Sequence, residues 1–233
     1  MGTMRRRAAV LLALAALAVG IALVASGMAG TDDPYDEMRQ EPAEESFADD
    51  GPSMDWNRLP PSVAAWVRIP GTSVDYPVVL GRPDDPGFYL FHDAWGEWSP
   101  WGTPYVANGC EQGLESPLVM VYGHHMSDGT MFADLADYSD EGFAADHGEI
   151  ILITRERTIR LRPVLVNVID ADRKQVRLRF EDPAELDAYM ESEAAESEVV
   201  LGDVPEGVQV YAFVTCSYQT DNSRTVVYAV EAG

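Results

Sequence analysis

Cysteine and histidine are scarce in this 233-residue chain, and basic residues are heavily outnumbered. There are two cysteines, Cys110 and Cys216, and four histidines, His92, His124, His125 and His147. Neither set has the spacing of metal ligands, so no metal and no cofactor are expected. Two cysteines allow one disulfide at most, and a Cys110–Cys216 bridge is one reading of them. Lysine and arginine number 16 against 39 aspartates and glutamates, and three of the 16 are Arg5, Arg6 and Arg7. Residues 31–233 therefore carry 13 basic against 39 acidic side chains, a net charge of −26. That balance argues against nucleic acid or anionic lipid head groups as partners. No internal repeat is present, so a repeat array is excluded.

What the chain does have begins with an apolar run, Ala8 to Ala29, directly after the three arginines. Twenty-two helical residues span about 33 Å, enough for a hydrocarbon core of about 30 Å. A signal-peptide core is shorter, about 7–15 residues, although "SGMAG" leaves cleavage open. Residues 1–30 are thus expected to be a cytoplasmic stub and single-pass anchor. The positive-inside rule then puts the N-terminus in the cytoplasm and the remainder outside the cell membrane. Residues 31–59 hold ten acids by Asp55 and little apolar periodicity, the signature of a solvated linker. Residues 60–233 read as the globular domain.

Within it, "SVAAWVRI" suggests a helical turn running into a strand, and "DYPVVL" a short apolar strand after a turn. An aromatic, glycine- and proline-rich loop follows, "FYLFHDAWGEWSPWGTPYVANG". "SPLVMVYG" reads as a buried strand, "GTMFADLADY" as a short amphipathic helix, and "GEIILITRERTIRLRPVLVNVID" as a hairpin turning near Arg155–Arg157. "KQVRLRF" reads as a further strand. The clearest helix is "DPAELDAYMESEAAES", with Asp182 as N-cap and Pro183 in its first turn. "GVQVYAFVTC" and "SRTVVYAV" are two strands bracketing "SYQTDN". Many short strands with few helices predict a closed or nearly closed β-barrel of about eight strands with peripheral helices. The alternate arginines at 155–162 and 173–179 read as solvated strand faces.

Cysteine catalysis needs an ionisable thiol, an acid–base partner and a group to hold an oxyanion. Cys216 ends a strand, Arg224 begins the next, and His124 and His125 follow a glycine at the end of another strand. Neighbouring strand ends of a barrel can converge, so a His–Cys–Arg cluster is geometrically reasonable. Taken singly, a histidine beside a strand is more often structural, and an arginine in a hairpin more often solvated.

Together, "YGHHMSDGTMF" and "TCSYQTDNSRTVVYA", with "VAAWVRIPGTSVDYPVV" and "FYLFHDAWG" before them, resemble the class B sortases, membrane-anchored cysteine transpeptidases of Gram-positive bacteria. The resemblance covers residues 60–231 and includes the acidic helix, which falls where class B members carry a helical insertion. It implies that Cys216 is the nucleophile, that His124, directly after Gly123, is the acid–base histidine, and that Arg224 is the oxyanion partner. Thr215, Asp221 and His125 are implied as supporting residues. "FVTC" departs from the Leu-Ser-Thr-Cys common in class B, so Val214 supplies no hydroxyl. The implied substrates are surface proteins with a C-terminal sorting signal of Asn-Pro-x-Thr type. The implied acceptor is an amine of a peptidoglycan precursor or a pilin lysine. The rival is a non-catalytic, membrane-tethered β-domain stapled by Cys110–Cys216.

Overall fold

β-Branched and aromatic runs dominate the chain beyond residue 60, and they form a barrel. The structure is a computed structural model; it describes residues 33, 35, 38–39, 54–174, 176–217 and 222–233. The apolar run at 8–29, most of the acidic linker and Asp221 lie outside these residues. No helix among the described residues is long and apolar enough to cross a membrane. The chain divides into two units, Met1–Glu37 and Met38–Gly233. In the first, the Tyr35 amide donates to the Asp33 carboxylate at 2.9 Å.

In the second unit nine strands are described: β1 (Val63–Arg68), β2 (Asp75–Leu80), β3 (Tyr105–Val106), β4 (Leu118–Gly123), β5 (Ile150–Thr154), β6 (Thr158–Asp170), β7 (Val199–Val200), β8 (Val210–Ser217) and β9 (Ser223–Glu231). Their order is β5-β1-β2-β3-β4-β8-β9-β6-β7, and a β5–β6 pairing closes eight of them into a barrel, with β7 added beside β6. Closure removes the open edges that a sheet of such apolar strands would otherwise expose. Most neighbours are antiparallel, but β4 and β8 run parallel over six rungs, Leu118↔Val210 to Gly123↔Thr215. Both are near-continuous apolar runs, as a strand covered on both faces requires. β8 is buried from Val210 to Thr215 and first meets solvent at Cys216.

The β5–β6 hairpin turns at residues 155–157, where the Thr154 amide donates to the Arg157 carbonyl at 2.9 Å. Six of the arginines expected on solvated strand faces make surface contacts with acids or backbone, among them Arg157 with Glu231, Arg160 with Glu149, Arg162 with the Asp203 carbonyl and Arg173 with Asp170. Two local expectations are corrected and one is refined. Val63–Arg68 is strand throughout, without a helical turn in it. "GTMFADLADY" yields the expected short helix, of 3-10 type, at Ala133–Ser139. The described residues of "KQVRLRF" form no strand. Side chains hold this segment instead, through Arg177 on Glu185, Arg179 on Glu111 and Lys174 on Glu193. At the far end of the acidic linker, Trp56–Arg58 forms a 3-10 turn capped by Asp55, and Leu59 is buried.

Two α-helices decorate the barrel, α1 (Glu141–Asp146) and α2 (Pro183–Ala195). The Asp182 carboxylate caps α2 by accepting from the Glu185 amide at 3.0 Å. Leu186, Met190 and Glu193 form its buried stripe at the i, i+4, i+7 spacing of one helix face. Glu193 is only 2% exposed. It accepts from Asn167 of β6 at 2.8 Å, Tyr228 of β9 at 3.1 Å and Lys174 at 2.8 Å. Burial, with Tyr189 and Glu193 alongside, pushes the Tyr228 hydroxyl well up, so it stays protonated and donates.

This carboxylate is the polar rivet between α2 and the barrel. Replacing it with Ala strips the buried carboxylate from Tyr228, Asn167 and Lys174, leaving Asn167 only the residue-193 carbonyl and Lys174 only Glu196. Glu193→Ala is expected to lower unfolding free energy by about 3 kcal/mol, read as a fall in the urea midpoint, whereas Leu186→Met at the same interface costs less than about 1.5 kcal/mol.

Candidate active site

The site is assembled where β4 and β8 end together. Because they are parallel, Gly123 lies beside Thr215, so His124, His125 and Cys216 emerge at one rim of the barrel. β9 returns antiparallel to β8 and sets Arg224 directly across from Cys216. Side chains alternate along a strand. Cys216 therefore shares its face with Val214, and Val214 pairs with Tyr122. Ile169 of β6 sits opposite Arg224 on the other side. Tyr122, Val214, Arg224 and Ile169, with Ala171, Lys174 and Val176 from the segment after β6, line a cleft of about 310 Å³.

Cys216 is exposed. Thr215, the preceding residue, points to the opposite face and is buried, across from Thr225. It supports the strand from inside and does not share the cleft. Ser217 and Ser223 close the end of the hairpin, with Ser223 donating to the Ser217 carbonyl at 2.8 Å. Asn222 takes a left-handed conformation, φ 56°, as the chain enters β9. No carboxylate among the described residues pairs with Arg224.

Two tyrosines stand near this cation. Tyr105 and Tyr122 are cross-strand partners of β3 and β4 with ring centroids 5.7 Å apart. Burial, and then the neighbouring Tyr122, pushes the Tyr105 hydroxyl up to about 12, against the pull of Arg224. Burial likewise raises Tyr122, and Arg224 opposes it. Both phenols are neutral donors at ordinary pH.

The two histidines diverge. His124 Nε2 lies 2.6 Å from the Leu90 carbonyl, and its ring is 5.9 Å from Phe91. A carbonyl only accepts, so Nε2 carries the hydrogen and Nδ1 is the nitrogen left for proton transfer. His125 points the other way, with Nδ1 2.9 Å from the Cys216 carbonyl. Gly123 has a steric duty just before them: a Cβ there would sit 2.5 Å from the Phe132 ring. Phe132 is fully buried and packs on Phe213 of β8 at 6.4 Å.

The Cys110–Cys216 bridge is not formed; both thiols are free. Cys110 Sγ sits in the core, 3.3 Å from the Met120 amide and 3.4 Å from the Leu118 carbonyl. Met120 pairs with Ala212, four residues before Cys216 and so about 13 Å along the strand. That is beyond the roughly 7 Å between Cα atoms that a disulfide tolerates. Burial pushes the Cys110 thiol up, which makes it an inert packing residue. The described residues contain no group of three or more His, Cys, Asp or Glu side chains able to hold a metal ion. Tyr105, Tyr122, Lys174 and the Leu90 carbonyl were not singled out from the sequence. Finding them needs the β4–β8 pairing and the path of the loop, neither of which residue spacing supplies.

No family model matches the chain. Sortase B of Listeria monocytogenes is 31% identical over 93 residues, which are 40% of this chain and 37% of that protein. Sortase B of Staphylococcus aureus is 26% identical over 171 residues, 72% of this chain and 69% of that protein. The Listeria alignment thus spans little more than a third of that relative's length. Among solved structures, Clostridium perfringens sortase B superposes with a TM-score of 0.69 at 25% identity, covering 76% of this chain and 97% of that one. A Staphylococcus aureus sortase B–substrate complex superposes with a TM-score of 0.66 at 21% identity, covering 76% and 83%. At that identity the last match speaks for the fold alone.

Two outcomes check this site. A thiol reagent should titrate one rapidly reacting cysteine in the native chain, lost in Cys216→Ala, and a second only on unfolding, lost in Cys110→Ala. Gly123→Ala should cost about 1–3 kcal/mol of stability through the clash with Phe132, visible as a lowered denaturant midpoint.

Proposed function

Because the chain is sortase class B-like, and because that homology supports a sortase transpeptidase, we propose that it cleaves a C-terminal sorting signal and passes the protein to an amine. The observation that carries this reading is the Cys216↔Arg224 pair on the rim beside the cleft, with no competing carboxylate on the arginine among the described residues. Cys216 gives its thiol proton to Nδ1 of His124, and Sγ attacks the carbonyl carbon after the threonine of the signal. The oxyanion so formed accepts from the Arg224 guanidinium, which keeps its charge at any working pH. His124 protonates the departing amine from Nδ1, and the carbon–nitrogen bond breaks to leave a thioester on Cys216. An incoming amine then attacks the thioester, His124 takes its proton, and the thiol of Cys216 is released.

The acceptor in this reading is an amine of a peptidoglycan precursor or a pilin lysine, and the signal is of Asn-Pro-x-Thr type. The enzyme works outside the cell, held to the membrane by residues 8–29, with the acidic stretch up to Arg58 as its stalk. The solved complex of the Staphylococcus aureus sortase B with substrate lends support, since it shares this fold. The neutral phenol of Tyr122 suits a peptide backbone in the cleft, and the apolar wall of Ile169, Val176 and Val214 suits the signal's side chains.

The test incubates the full chain with peptides ending in Asn-Pro-x-Thr-Asn or Leu-Pro-x-Thr-Gly and follows the products by mass spectrometry. Cleavage after threonine and a thioester mass on Cys216 are expected. Cys216→Ala and His124→Ala should each lower the rate by about 10³-fold or more, and Arg224→Ala by about 10²- to 10³-fold. Absence of cleavage and of any Cys216 adduct across both signal types overturns the proposal.

A further inference from the structure

The parallel ladder between β4 and β8 stops at Gly123↔Thr215, one residue short of Cys216. No strand residue of β4 remains to bond the backbone of Cys216 on that side. A side chain does so instead: His125 Nδ1 stands 2.9 Å from the Cys216 carbonyl. Only a donor satisfies a carbonyl, so Nδ1 bears the hydrogen whether the ring is neutral or charged.

His125 is itself held from behind. Its backbone forms an isolated bridge with Met131, and Met131 takes a left-handed conformation at φ 61°. The Met131 amide donates to the Tyr76 hydroxyl at 2.9 Å, and the Phe132 amide to the His124 carbonyl at 2.8 Å. The turn after β4 is thereby tied to β2 and to the core, and His125 carries that rigidity across to β8. Adjacent histidines end up with opposite ring nitrogens protonated, His124 at Nε2 and His125 at Nδ1.

From this we infer that His125 is a positioning residue for the nucleophile: its ring supplies the missing rung and fixes the backbone from which Cys216 Sγ projects. The inference rests on the reading of Cys216 as the nucleophile. A shift of the strand end by about 1 Å moves Sγ against Arg224 and against the carbonyl it attacks, and such misplacement costs on the order of 10²-fold in rate. In this role His125 acts through the backbone of Cys216.

The experiment compares His125→Ala and His125→Asn in the full chain, using whichever signal peptide the wild type cleaves. The Asn Nδ2 amide occupies the place of the imidazole Nδ1 and can donate to the same carbonyl. His125→Ala should lower kcat about 10- to 100-fold with KM within about twofold, and His125→Asn should recover most of that loss. Nitrogen-15 spectra of the wild type should show a neutral His125 in the Nδ1–H form. A kcat unchanged in His125→Ala, an Asn variant as slow as the Ala variant, or a neutral His125 in the Nε2–H form overturns the inference. These failures differ from failure of the transpeptidase reading, in which the wild type makes no Cys216 adduct while the nitrogen spectra still report on His125. If His125→Ala does not fold, the Asn variant and the spectra still decide.

Discussion

Six parallel rungs between β4 and β8 govern everything at the rim. In a parallel pair both strands finish at the same end, so the residues that follow one arrive beside those that finish the other. An antiparallel pairing of the same two sequences would leave the histidines at one end of the barrel and the cysteine at the other. Register matters as much as direction. A slip of one residue would turn Cys216 into the core and Thr215 out, and the apolar run Val210–Val214 together with the fit of Phe132 against Gly123 penalises it. The chemistry of the rim is thus a by-product of how an apolar strand finds its neighbour.

The electrostatics are arranged with equal economy. In a chain of net charge −23, Arg224 stands on the cleft without a described counter-ion. The tyrosines around it are held neutral by burial, so they contribute dipoles and no opposing charge. Lys174, the other cation of the cleft, is already committed to Glu193 and Glu196. Among the described residues Arg224 is thus the cleft cation without a carboxylate partner, and it lies across a single pair of strands from Cys216. Backbone carbonyls of Leu90 and Cys216 assign the ring hydrogens of His124 and His125, so the histidine that keeps Nδ1 free is fixed by packing of a loop.

Much of this was legible in the chain, for identifiable reasons. Strands β1, β2, β4, β5, β6, β8 and β9 announce themselves by β-branched runs bounded by turn residues, and α2 by its Asp182 cap and Pro183. Cys216 and Arg224 could be proposed as neighbours because "SYQTDN" reads as a hairpin loop between two strands. What stayed hidden depends on contacts between distant segments. Lys174–Phe180 has the alternation of a strand, but alternation does not reveal that side-chain contacts to Glu193, Glu185 and Glu111 hold its described residues in place of a neighbouring strand. Nothing local marks Tyr105 or the Leu90 carbonyl as parts of the rim. The disulfide alternative survived on cysteine count alone and fell once the depth of Cys110 in the core was known.

The lining of the cleft divides along a covalent boundary. Arg224, Tyr122, Val214 and Ile169, with Cys216 on the rim beside them, belong to barrel strands whose register the whole fold defends. Ala171, Lys174 and Val176 belong to the connection between β6 and α2, which is secured by side chains. Exchange of residues in that connection can reshape one wall without moving a rung of the ladder. Substitution there can change the shape and charge of the cleft while the register that sets Cys216 across from Arg224 stays as it is.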